Sequence, residues 1–530
     1  MEERLRAEAA GIGEGRSPTA ECRSRYSLPT RRPFRRSANP LLSISPSVSS
    51  VSSVSSSGRY DFALFGNLSD IISDVFFPPQ SGHTALIKTF AVFGLAFLAR
   101  PIGGAIIGRF GDRYGRKKAL EVSIFLMAFP TFLMGCLPGY DRIGKWAIVL
   151  LVVTRVLQGA SVGGQMMSSA VFQIESQPDR ARWGETGAWV MGTANLGSLL
   201  GGMVSELLRD SFSEDELRRY GWRIPFLSGV VVAFAGLYLR KYEEETEETH
   251  ESKSHTSSSS SSSSSPNLSA SAPLPNPIKS ALTTYRRQTF IIALVTGGWV
   301  CSFYVGFIWL PIYMATLLDP PVPHAFLVSS ASMFFGLFVF FGAAGSLSDA
   351  YGRRPVMLAG ALGTALFAPV HLHLISGYLD PWLSCASSTF FGLLLSLLGA
   401  PANAFFFELV PREARLTTLA LGYNIAQPFA GGMAPALATI FYDVGGPVFP
   451  SAVVALFSLL SFVGIWISPG TEAEAAFYAR LGWTGWPCRG GRKGGEGEAA
   501  EREENGLMAM GEERSDRRTA SVTSEDDGCL

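Results

Sequence analysis

The chain has 530 residues, 47% apolar and only 17% charged, with 37 phenylalanines and a net charge of zero. That is more apolar than a soluble protein of this size requires, and the charge balance gives no basis for a nucleic-acid or acidic partner. The six cysteines show no CxxC spacing, so neither a disulfide framework nor a metal site is indicated.

In chain order, residues 1–57 are polar, with acids confined to the first 21 positions, a basic cluster from Arg31 to Arg36 and a serine-rich run to Ser57. They carry no secretory signal and read as a disordered cytoplasmic tail. Apolar runs of roughly 20 residues then predict helices at 59–77, 84–108, 118–137, 146–174, 186–208 and 223–240, a first bundle over 58–241. Residues 242–287 hold the acidic run Glu243 to Glu248 and a serine tract from Ser257 to Ser265, and read as a disordered linker. Six further helices are predicted at 288–317, 325–347, 354–375, 382–409, 416–441 and 448–468, a second bundle over 288–468. The segment 469–530 reads as a mostly disordered cytoplasmic tail, with a short amphipathic stretch at TEAEAAFYARLGW and a weak kinase-type pattern before Ser521. The fold expected is an all-α polytopic membrane protein, with twelve transmembrane helices in two pseudo-symmetric six-helix bundles.

The halves repeat. GRFGDRYGRKK, from Gly108 to Lys118, and GSLSDAYGRR, from Gly345 to Arg354, each fall between the second and third helices of their half. A duplication of this length marks transporters whose halves are related by an axis along the membrane normal. Gly115 supplies a turn conformation that other residues resist. Basic residues gather on one side: those of the first motif, Arg180 and Arg182, Arg353 and Arg354, and Arg412 and Arg415. Both termini and the linker are therefore expected on the cytoplasmic side. The segment from Arg209 to Arg223 dissents, placing four arginines outside beside Asp210, Glu214, Asp215 and Glu216.

Ionisable groups at membrane depth are costly and functional by default. Asn67, Asp70 and Asp74 fall within about 60° of one another on the first helix, and Asp61 points to another face. Arg100, before Pro101, lies about 12 Å from the motif end of its helix, and Arg155 is about 13 Å deep in the fourth. Each arginine needs an acceptor, either a first-helix carboxylate or a substrate carboxylate. Gln158 and Gln165 extend the fourth helix inward. In the second half Tyr304, Trp309, Asn403, Asn424 and Gln427 offer hydrogen bonds or, for Trp309, a ring face for a quaternary ammonium. His371 and His373 are expected to be solvated near the outer end of the ninth helix.

The segments YDFALFG (Tyr60 to Gly66), FLARPIGGAIIGRFGDRYGRKKAL (Phe97 to Leu120), RVLQGASVGGQ (Arg155 to Gln165) and YGWRIPFLSG (Tyr220 to Gly229) resemble the major facilitator superfamily. Within it they are most similar to the metabolite:proton symporters for proline or betaine, citrate, 2-oxoglutarate and shikimate. The resemblance spans about residues 59 to 468 and implies alternating access between two rocking halves. It also implies that Asp112 and Arg116, with Gly108, Arg113 and Gly115, form a latch on the cytoplasmic side. Asp349, Gly352 and Arg353 form the second copy, expected to be weaker because Ala350 replaces a basic residue. Glu175 is assigned to the same gate with Arg180 and Arg182, and Glu408 and Arg412 to the gate or its anchor. Asp61 falls inside a family-like segment and is the candidate coupling residue. Gln165 stands where the family usually carries glutamate, and a neutral amide holds no proton. Coupling must then run through Asp61, Asp70 or Glu175, or use another cation, or be absent.

These readings converge on a secondary transporter of a small polar metabolite, an organic acid or a zwitterion, with proton symport implied by the resemblance. An uncoupled facilitator and a non-transporting nutrient sensor are the alternatives. No cofactor or metal is expected, and no clustered nucleophile and base suggests an enzyme. The partners expected are the solute, protons and the bilayer, with the protein acting as a monomer in the plasma membrane.

Overall fold

Each long apolar run that falls among the described residues forms a helix. The computed structural model describes residues 59–78, 83–114, 116–163, 165–177, 179–227 and 277–470. Both tails, the serine-rich linker, Gly115, Ser521 and most of the predicted sixth span lie outside them, as do the side chains of Asp112, Arg113, Arg116 and Gln165.

Helix α1 covers residues 59–76 and breaks at Leu68. Next come α2 (Thr84–Tyr114), α3 (Arg116–Cys136), α4 (Lys145–Val162, with Gln165–Ser176 beyond it) and α5 (Trp183–Ser211), and α6 opens at 223–227. After a short helix at Pro277–Thr283 come α7 (Arg286–Leu317), α8 (Ala325–Tyr351), α9 (Arg353–Tyr378) and α10 (Pro381–Leu409). The last two are α11, Arg415–Ala426 continuing to Gly445, and α12 (Ser451–Trp466). The first motif is less of a loop than its charge suggested. Nothing before Gly115 interrupts the helix, so α2 runs on through Gly108 to Tyr114 and α3 begins at Arg116.

Among the described residues, six helices are long and apolar enough to cross a membrane. Apolar side chains cover much of the surface as well as filling the core, and several charged ones are buried. Ile102, Ile106, Phe125, Leu366 and Trp382 face outward, whereas Asp61, Arg100, Arg155, Gln158 and Arg353 are buried. In hydrocarbon such groups persist only where other protein groups or a cavity receive them.

Two backbone features bear on how the helices present their side chains. Gly352 holds φ +97° in the turn between α8 and α9, the conformation the motif glycine was expected to supply. Helices α7 and α11 each widen into a π-helical turn, at Tyr304–Trp309 and Gln427–Gly432. Such turns redirect side chains and recur at functional sites. First-half and second-half helices meet through α2 against α11 and α5 against α8 and α10.

Candidate functional site

A chain of buried polar side chains crosses the first half. Thr131 on α3 donates its hydroxyl to Asp61 Oδ2 on α1 at 3.0 Å or to the Met127 carbonyl at 2.9 Å. Gln158 Nε2 on α4 donates to Thr131 Oγ1 at 2.6 Å, and Arg155 Nη1 donates to Gln158 Oε1 at 2.8 Å. Arg155 is 0% exposed, and its Nε and Nη2 find no acceptor. Its guanidinium instead lies over the rings of Phe65 at 3.9 Å and Phe62 at 4.8 Å. Ring faces offset part of the cost of a buried cation, but they do not replace two missing acceptors.

Phe62, whose ring the Arg155 guanidinium faces, also lines a cavity. It is walled by α1, α2 and α4 from the first half and α7 and α11 from the second. Arg100 lies over Phe97 at 4.1 Å and Phe62 at 4.7 Å, so Phe62 touches the guanidiniums of both Arg100 and Arg155. Arg100 Nη1 reaches Gln427 Oε1 across the cavity at 3.4 Å. Asn424 Nδ2 donates to the Gly163 carbonyl of the opposite half at 2.9 Å. Tyr304, which opens the π-helical turn of α7, lines the same space.

Of the residues expected here, the structure gathers Arg100, Tyr304, Asn424 and Gln427 at the cavity and Asp61, Arg155 and Gln158 in the chain behind it. Three others lie elsewhere. Asp70 is engaged by Arg209 Nη2 of α5 at 2.8 and 2.9 Å, away from the cavity lining. Trp309 is fully buried, donates its indole N–H to Thr439 at 2.9 Å and stacks on Tyr313. Asn403 donates to the Gly187 carbonyl at 3.0 Å and joins α10 to α5. Arg59, Thr131, Trp299 and Tyr423 were missed. Arg59 precedes YDFALFG by one residue and looked like the flank of a helix; Thr131 carries no charge to draw notice.

At the end bearing the motif, the second copy makes a full set of contacts despite Ala350. Asp349 accepts the backbone N–H groups of Gly184 and Glu185, both at 2.9 Å, and so caps α5 of the other half. Arg353, 1% exposed, bonds to Asp349, to Ser348 Oγ at 3.0 Å and to Glu408 Oε1 at 3.2 Å. Glu175 takes Arg415 Nη1 of α11 at 3.1 Å as its partner, rather than Arg180 or Arg182. Arg180 and Arg182 instead sit at the start of α5, where Arg182 Nε bonds Glu185 at 3.1 Å and Arg180 lies over Trp183. Arg412 is exposed.

At the opposite end, His83 Nδ1 and Asp443 join the halves at 2.6 Å. Midway along α2 and α11, Gly94 and Gly432 bring the two helices so close that a Cβ on Gly432 would lie 2.8 Å from the Gly94 Cα. Three of the four dissenting arginines have partners, and Arg219 is exposed. Besides the Arg209 pair with Asp70, Arg218 Nε lies 3.3 Å from Asp74, and Arg223 Nη1 donates to the carbonyls of Gly135 and Leu137. Outside the membrane-spanning segments, Ser213 donates two hydrogen bonds to Glu216 and holds its carboxyl below the usual range. His371, expected to be solvated, is buried, with Nδ1 3.1 Å from Ser387 Oγ and its ring between Phe367 and Phe391. His373 is exposed.

The family model described as "Sugar (and other) transporter" matches residues 50–467. The chain belongs to this family, within the major facilitator superfamily. Among relatives, the proline/betaine transporter of Escherichia coli is 31% identical over 416 residues, covering 76% of this chain and 80% of the relative. The glycine betaine/proline/ectoine/pipecolic acid transporter of Dickeya dadantii is 31% identical over 415 residues, covering 76% and 79%. Among solved structures, the proton:xylose symporter XylE bound to 6-bromo-6-deoxy-D-glucose superposes with a TM-score of 0.59 at 18% identity, covering 82% of this chain and 99% of that one. The partially occluded inward open XylE from E. coli gives 0.59, covering 80% and 98%. The chain is thus a multi-pass membrane transporter of small solutes with the twelve-helix fold, and not an enzyme.

Proposed function

We propose that this transporter is a proton-coupled symporter of a small polar metabolite, an organic acid or a zwitterion. It works in the plasma membrane by alternating access, with both termini cytoplasmic. The reading that its cavity is the solute site draws support from its walls, since five helices of both halves meet there.

One observation carries the coupling. The Thr131 hydroxyl lies within hydrogen-bond distance of both Asp61 Oδ2 and the Met127 carbonyl. A charged Asp61 accepts the Thr131 proton; a protonated Asp61 donates to Thr131 Oγ1, whose own proton then turns to Met127. Both protonation states of Asp61 are therefore hydrogen-bonded, as a buried group that loads and unloads a proton requires. The free N–H groups of Arg155 give the charged form a counter-ion in the same region. Phe62 lies against both Arg155 and Arg100 and links this chain mechanically to the cavity. The latch at Asp349 and the His83–Asp443 contact are then the gates that alternate.

The test is uptake of labelled 2-oxoglutarate, citrate, shikimate, proline and betaine into proteoliposomes, with and without an inward proton gradient, for wild type and Asp61→Asn. Gradient-driven accumulation that the variant loses, while keeping downhill exchange, is expected. Accumulation that survives in the variant would remove Asp61 from coupling, and downhill equilibration alone in wild type would remove coupling altogether.

A further inference from the structure

The cavity is more cationic than a zwitterion requires. Two guanidiniums, Arg59 and Arg100, line it, and among the described lining residues there is no aspartate or glutamate. Neither arginine has a carboxylate partner among the described residues. Arg59 Nη1 donates to Asn195 Oδ1 at 2.9 Å and Nη2 to the Met191 sulfur at 3.2 Å; Arg100 has Gln427 and the Tyr304 hydroxyl, and its buried Nε finds no acceptor. Two cations without a carboxylate partner in one cavity are costly unless an anion completes the site.

Two of the aromatic side chains that line the cavity, Phe62 and Trp299, are already covered by guanidiniums. Arg59 lies over Trp299 at 5.5 Å and Phe303 at 5.7 Å, and Arg100 over Phe62 and Phe97. Rings already covered by guanidiniums offer no cage to a quaternary ammonium. The carboxylates of the first helix do not supply a cation site either, because Asp70 is bound by Arg209 and Asp61 faces Thr131.

We propose that the solute held in this cavity is a small organic dianion, such as a dicarboxylate, and that Arg59 selects for the second negative charge. This rests on the reading of the cavity as the solute site. It separates this chain from the relatives named for proline and betaine, whose solutes carry no net charge. A zwitterion here would neutralise one guanidinium and set its own cation beside the other. A dianion answers both, and a planar guanidinium can grip each carboxylate with two parallel hydrogen bonds.

The experiment is proteoliposome uptake of labelled succinate, 2-oxoglutarate, lactate, proline and glycine betaine by wild type, Arg59→Gln and Arg59→Lys. Wild type should take up the dianions in preference to the others. Arg59→Gln should lower the ratio of succinate to lactate specificity by about tenfold or more, the loss of one charge-assisted contact. Arg59→Lys, which keeps the charge without the fork, should recover part of that ratio. Uptake of proline or betaine without the dianions would overturn the inference and leave the transporter reading intact. So would an Arg59→Gln variant in which succinate and lactate change by the same factor. Absence of flux for every solute would defeat the transporter reading, and the inference with it.

Discussion

Asp349 accepts the backbone N–H of Gly184 at 2.9 Å, so an acid at the end of α8 closes the first turn of α5 in the opposite half. A carboxylate at a helix N-terminus gains from both the hydrogen bonds and the helix dipole. The contact holds only while the two halves are together at this end, which is what a latch requires.

Asp349→Ala should open that latch and leave Arg353 with Glu408 as its remaining acid. We expect a loss of stability of about 1–3 kcal/mol and faster labelling of a cysteine introduced at Tyr423 by a reagent applied from the motif end. Unchanged labelling would mean that the latch does not gate access to the cavity.

Thr131→Val keeps the volume of the side chain and removes the hydroxyl that serves Asp61 and Gln158. Gradient-driven uptake should fall by about tenfold or more, roughly the worth of one buried hydrogen bond, while solute exchange without a gradient is spared. If exchange falls equally, Thr131 serves packing and not coupling.

The Asp70–Arg209 pair is half-buried and bound through two contacts, so it is expected to act in stability and not in solute choice. A double-mutant cycle of Asp70→Asn and Arg209→Gln, read by thermal unfolding in detergent, should give a coupling of about 1–2 kcal/mol. The ratio of transported solutes should not move; a change in that ratio would return Asp70 to the substrate site.

Gly432→Leu would drive a side chain into the Gly94 backbone, where even a Cβ has no room. The halves should be wedged apart midway along α2 and α11, with uptake abolished and the protein still folded and inserted. Retention of more than half the wild-type rate would show that this approach of α2 and α11 is not needed for the transport cycle.

Trp309→Phe removes the indole N–H that Thr439 accepts, at an expected cost of about 1 kcal/mol in stability. KM for the solute should stay at its wild-type value, because Trp309 does not line the cavity. A several-fold rise in KM would place it back among the binding residues.

The helix pattern was largely legible in the chain, because a bilayer demands long apolar runs and punishes every charge within them. Predicted spans such as 288–317 and 325–347 differ from Arg286–Leu317 and Ala325–Tyr351 only at their ends, where charged residues continue a helix past the apolar run. The duplicated motif, the deep arginines Arg100 and Arg155, and the turn glycine at Gly352 were legible for the same reason, each being a residue type out of keeping with its surroundings. Partner choice was not. Asp70 and Arg209 are 139 positions apart, and Glu175 and Arg415 are 240 apart, and nothing in local spacing distinguishes those pairs from the alternatives. Electrostatic and hydrogen-bond partners are fixed by distances of a few ångströms between helices, which the packing of the two halves sets. For that reason the sequence by itself determined a twelve-helix transporter with charge at depth, and only the tertiary structure decided that Arg59 and Arg100 share a cavity from which the carboxylates of α1 are withheld.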